Sequence, residues 1–128
     1  MSSKDVGVLG EKIAAQYLTS KQYTILEKNY RPSFISGPQI GEIDIIARKG
    51  DSIYFIEVKT IVQTHGSQQY YPENKVDFVK QKKIMKTAEL WLMQKKILLD
   101  NPWQVDVIAV EIDQRAKTAR IRHLENIG

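Results

Sequence analysis

The chain has 128 residues, 42% of them hydrophobic and 27% charged, with a net charge of +4. These values suit one globular domain with a real core, spanning residues 1–128, and hardly two. There is no cysteine and only two histidines, His65 and His123, which excludes disulfides, thiolate zinc sites, a cysteine nucleophile and a histidine-rich metal centre.

Any metal must therefore be held by oxygen, which favours Mg²⁺ or Mn²⁺. The first residues are polar and no apolar run is long enough to span a bilayer, so the expected location is the cytoplasm, with no membrane partner. The mild positive charge permits a nucleic-acid partner.

In chain order, Asp5 to Ser20 is predicted to be a helix, with Val6, Leu9, Ile13 and Tyr17 at helical spacing. Gly7 and Gly10 cost helix propensity, and their use is close approach to another element. Glu11 follows one step from the apolar stripe and reads by itself as a solvated carboxylate. Tyr23 to Asn29 reads as an edge strand that ends at Arg31-Pro32.

Gly41 to Thr60, GEIDIIARKGDSIYFIEVKT, reads as two strands joined at Gly50-Asp51. A Gly-first two-residue loop suits a type II′ hairpin. Lys49 then pairs with Ser52, Asp44 stands opposite Glu57, and Glu42 stands opposite Lys59. Directly paired residues share a face, so these four side chains are expected to point one way. Val58, Ile56, Ile45 and Ile43 are expected to point the other way.

Like charges opposite each other destabilise a sheet, and a local rule broken in this way marks functional sites. A divalent cation would remove the conflict between Asp44 and Glu57. Lys59 would then sit beside it as a fixed positive charge. The competing reading is a solvated hairpin face, although Ile46, Phe55 and Ile53 on the same face do not fit it.

Ile61 to Pro72 reads as a loop carrying Gln63, His65 and Tyr70. These groups suit nucleic acid and equally any exposed loop. From Glu73 to Lys96 a long helix is predicted, in which Lys75, Lys80, Lys82, Lys83, Lys86, Lys95 and Lys96 outnumber the acids. It is either a solvated face or a phosphate-facing stripe. Trp91 and Leu92 read as core. Trp103 to Ile112 and Ala119 to Leu124 read as strands, which completes an α-β-β-β-α-β-β order and one α/β domain.

A carboxylate on one strand followed by Glu-x-Lys on the next, here Asp44 and Glu57-Val58-Lys59, resembles the PD-(D/E)xK motif of restriction-endonuclease-like nucleases. More narrowly, the chain resembles the YraN-like family. Gly10-Glu11, Asn29-Tyr30-Arg31, Gly41-Glu42-Ile43-Asp44 and Phe55 to Thr60 carry that resemblance, and Gly66, Lys80 and Asp106 continue it.

The resemblance implies a three-layer αβα core, with a central mixed sheet of about five strands flanked by helices. It implies a Mg²⁺ (or Mn²⁺) site at Asp44, Glu57 and the Val58 carbonyl, with Lys59 in the chemistry. Archaeal Holliday-junction resolvases, which the family resembles, add a first-helix carboxylate that Glu11 matches.

The expected function is a metal-dependent nuclease acting on DNA, with structured or branched DNA in view. Arg31, Lys80, Lys82 and Lys83 would meet nucleic acid, and Glu42, Gln63 and His65 would support the site. The alternative is a catalytically silent nucleic-acid-binding or assembly module. Ile61 and Gln104 replace positions where the family tends to have arginine, which favours that alternative. A homodimer is left open.

Overall fold

A computed structural model of the chain describes residues 2–38, 40–63 and 78–127. Helix α1 spans Ser3–Ser20, two residues earlier than its apolar pattern suggested. Ser2 caps it: its hydroxyl accepts the Asp5 N–H at 3.1 Å, and the Asp5 carboxylate accepts the Ser2 N–H at 3.4 Å. This reciprocal box satisfies two of the donors that a helix start leaves open.

Strands β1 (Thr24–Tyr30), β2 (Ile43–Lys49) and β3 (Ser52–Gln63) follow. Helix α2 (Phe78–Gln94) then crosses over to β4 (Trp103–Asp113), and β5 (Thr118–Leu124) closes the order. The five strands lie in sequence order in one sheet. β3 and β4 are parallel and every other pair is antiparallel. The segment 61–63, expected as loop, extends β3 along β4 as far as Gln63↔Asp113.

The hairpin forms in the expected register, from Lys49↔Ser52 to Ile45↔Ile56. Gly50 supplies the positive φ, at 60°, that the first loop position requires.

One helix covers each face of the sheet, which makes three layers. Under α1, Ala14 and Leu18 pack on Ile45, Ala47, Ile56, Val58, Ile108 and Val110. Under α2, Ile84, Ala88, Trp91 and Leu92 pack on Ile46, Ile53, Phe55 and Val105. Each fully buried aliphatic or aromatic side chain contributes roughly 1.5–3 kcal/mol. The apolar residues that a solvated face left unexplained, Ile46, Phe55 and Ile53, are thus the floor beneath α2. Among the described residues no helix is long and apolar enough to cross a membrane.

Ile43 departs from the simple alternation that would set it beside Ile45, and packs under α2 with Tyr30 and Ile46. The strand pleat is therefore interrupted at Asp44. Directly across, between Lys28↔Ile45 and Tyr30↔Ile43, Asn29 takes a φ of 50°. Asn is among the few residues that enter this left-handed region readily. The interruption turns both strands over at one point.

Gly10 lets α1 lie against β3. A Cβ there would sit 2.7 Å from the Thr60 Cβ, closer than packed atoms allow. Gly10→Ala must push the helix off the strand, and we expect it to cost about 1–3 kcal/mol in a thermal melt, despite the higher helix propensity of Ala. A melt at or above wild type would show that α1 does not rest on Thr60.

Candidate metal centre and basic groove

The ladder between β2 and β3 stops at Ile45↔Ile56, and Asp44 is the next residue. Its Oδ2 accepts the Val58 N–H at 2.7 Å, where the next β2 carbonyl would stand if the ladder continued. Asp44 thus belongs to the sheet's hydrogen bonding while opening onto a cleft of about 570 Å³. Glu11, Glu57, Val58, Lys59 and Thr60 also line that cleft, between the first half of α1 and the far end of β3.

The acids of this region are held in different ways. Glu57, with a side chain 7% exposed, receives the Lys80 ammonium at 2.9 Å and the Lys59 ammonium at 3.5 Å, both on Oε1. Glu11 accepts from Asn29 Nδ2 at 2.9 Å, and the same amide reaches Glu42 Oε1 at 3.4 Å. Arg31 lies 3.8 Å from the other oxygen of Glu42. Thr87 keeps the segment before β2 against α2, accepting the Gly41 N–H at 3.0 Å and donating to the Lys83 carbonyl at 2.8 Å.

Burial and then the neighbouring Glu57 push the Asp44 carboxyl up to about 7. The Val58 N–H opposes the rise, while Glu11 and Glu42 add to it. Burial, followed by the contact with Lys80, pushes the Lys59 ammonium down, although Glu57 pulls it back. Burial also disfavours the charge on Lys80, but the Glu57 carboxylate outweighs it and moves Lys80 up. The cleft therefore disfavours the charge on Asp44 when no cation is present, while two ammoniums converge on Glu57.

Glu11, Asp44, Glu57, Val58 and Lys59 meet at this cleft. Lys80 and Lys83 border a neighbouring groove of about 280 Å³ with Glu42. Lys82 is exposed on α2. Gln63 does not join: its amide donates to Glu111 at 3.3 Å, because β3 continues and turns it toward β4. His65 lies outside the described residues. Two residues that the sequence reading passed over are Asn29, which ties Glu11 to Glu42, and Lys80 as a direct partner of Glu57. The sequence signal for the first is its place in the Asn29-Tyr30-Arg31 block that carries the family resemblance.

Among the described residues, the group of three His and carboxylate ligand atoms within 4.8 Å of one another is elsewhere, at Asp106, His123 and Glu125. The buried Asp106 accepts from Gln104 at 2.9 Å and from the Asn126 N–H at 2.9 Å, and meets His123 Nε2 at 2.7 Å. Tyr17 OH stands 3.2 Å from His123 Nδ1. These bonds account for the buried carboxylate and fasten the C-terminal segment to β4.

The fold and the cleft define an α/β protein with a carboxylate–lysine site at the point where two strands part. The model of Uncharacterised protein family UPF0102 matches residues 10–110, and the chain belongs to that family. Its relatives include UPF0102 proteins of Clostridioides difficile strain 630, 41% identical over 98% of both chains, and of Dictyoglomus turgidum, 34% identical over 98% of both. Another, from Caldanaerobacter subterraneus subsp. tengcongensis, is 39% identical over 98% of this chain and 96% of its own.

Proposed function

We propose that this protein is a Mg²⁺- or Mn²⁺-dependent nuclease of the restriction-endonuclease-like PD-(D/E)xK class, hydrolysing phosphodiester bonds in DNA. The observation that carries the reading is geometric: Glu11, Asp44, Glu57 and Lys59 line one cleft where the β2–β3 ladder ends. An all-oxygen donor set of this kind fits a hard divalent cation. Asp44, Glu57 and the Val58 carbonyl would hold it, with Glu11 assisting directly or through water. When bound, such an ion lowers the pKa of a water and neutralises charge developing on a phosphate.

The chain's own groups supply the rest. Glu57 fixes Lys59 at the rim of the cleft. There the ammonium orients the attacking water or meets a non-bridging phosphate oxygen. Attack of the water oxygen at phosphorus breaks one P–O ester bond and leaves a phosphate monoester and a hydroxyl. Asn29 holds the Glu11 carboxylate toward the same space. DNA carrying branches or other structure is the substrate class suggested by the resemblance to junction resolvases.

A silent binding or assembly module is the second reading. It is favoured by the way Lys59 and Lys80 already compensate Glu57. Linear, nicked and four-way DNA incubated with Mg²⁺ or Mn²⁺ separates the two. Metal-dependent cleavage of any of them is expected, and none from any would leave only the module.

Phosphate contact by the groove predicts a second result. DNA affinity should fall steeply with salt, and Lys83→Ala should weaken binding alike for all sequences and flatten the salt slope by about one unit. Fluorescence anisotropy across a salt series checks this, and a slope unchanged in Lys83→Ala returns that lysine to plain solvent exposure.

A further inference from the structure

We infer that Lys80 is the resident counter-cation of Glu57, displaced from that carboxylate by an incoming divalent cation and passed to a phosphate of the substrate. This rests on the nuclease reading and adds a second lysine to its site. The sequence alone placed Lys80 in a diffuse basic stripe on α2.

Three observations support the assignment. Lys80 and Lys59 approach the same oxygen, Glu57 Oε1, at 2.9 and 3.5 Å. Two ammoniums on one oxygen are more than one carboxylate charge requires, so either can leave without stranding it. Glu57 is buried, whereas 38% of the Lys80 side chain is exposed, so Lys80 reaches in from solvent on a flexible stem. It also lines the neighbouring groove with Lys83 and Glu42. It stands on the border between the acidic cleft and the basic groove.

Charge balance gives the direction of movement. Without a divalent ion, Lys80 and Lys59 offset Glu57. With a divalent ion on Asp44 and Glu57, the carboxylate charge is already matched. The ion then competes with both ammoniums for Glu57, and a phosphodiester offers the displaced ammonium a new anionic partner. A compact, strongly hydrated ammonium suits this exchange, since it is held as a point charge and not through a planar fork.

The test is isothermal titration of Mn²⁺ into wild type, Lys80→Met, Lys80→Gln and Lys80→Arg, near neutral pH and without DNA. Removing a competing ammonium should tighten Mn²⁺ binding about fivefold in Lys80→Met, the effect of losing one half-exposed ion pair. Lys80→Gln should behave likewise if Lys80→Met does not fold. Lys80→Arg, which keeps the charge, should stay near wild type. A role in packing alone would not tighten binding. Wild type and the neutral variants binding Mn²⁺ equally would overturn the exchange and leave the metal site standing. No Mn²⁺ binding by any of them would overturn both.

Discussion

Asp44→Asn is expected to lose cleavage by on the order of 10²–10³-fold or more while binding DNA as well as wild type or better. Asn keeps an oxygen for the Val58 N–H, now bonded at 2.7 Å, so the parting of β2 from β3 is preserved. What it removes is the charge that would hold a cation, and the same charge repels phosphate when no cation is present. Glu57→Gln should lose cleavage similarly, but it also strips the shared partner from Lys59 and Lys80. Lys59→Ala separates the roles: it should lose cleavage and still bind Mn²⁺, since Asp44 and Glu57 remain. Cleavage and anisotropy measured on one DNA panel check the set. Full activity in Asp44→Asn would remove Asp44 from the chemistry.

Metal-free stability should fall as pH rises toward neutrality. The Asp44 carboxyl moves from an ordinary 3.8 to about 7 in the fold. Between those values the folded chain binds the proton that the unfolded chain has released. Stability from this group is thus complete below about 4 and lost as pH passes through about 7, by on the order of 2–4 kcal/mol. Cation binding reverses the sign, because a metal ligand must be deprotonated. Mn²⁺ affinity should climb with pH up to about 7 and level above it. Urea melts across that range should show the fall in wild type and not in Asp44→Asn. A flat wild-type profile would mean that Asp44 stays ionised throughout.

Much of the fold was legible in the sequence. Alternation gave the strands, Gly50 gave the hairpin and its register, and Arg31-Pro32 gave the end of an edge strand. Ile46, Phe55 and Ile53 did not fit a wet face, and α2 covers them. The start of α1 was written in Ser2 and Asp5, three residues apart, but a cap lies outside any apolar period.

The site was legible only in part. Register brought Asp44 opposite Glu57 but could not show the pleat breaking there, because the break depends on Asn29 entering a left-handed conformation in mid-strand. Ile43 was misplaced for that reason. Lys80 meeting Glu57 depends on how the β3–α2–β4 crossover sets one helix over one strand. No local pattern encodes that distance. Gln63 looked free for a ligand only because the length of β3 is fixed by its pairing with β4.

The most direct test of the acidic pair as a cation site is a thermal melt of wild type and Asp44→Asn at about pH 8, with and without Mn²⁺. A bound ion stabilises by mass action, so wild type should melt several degrees higher with Mn²⁺. Asp44→Asn should melt above metal-free wild type and not respond to the ion. A wild type indifferent to Mn²⁺, together with an Asp44→Asn that melts no higher, would contradict the metal site and leave a nucleic-acid-binding module.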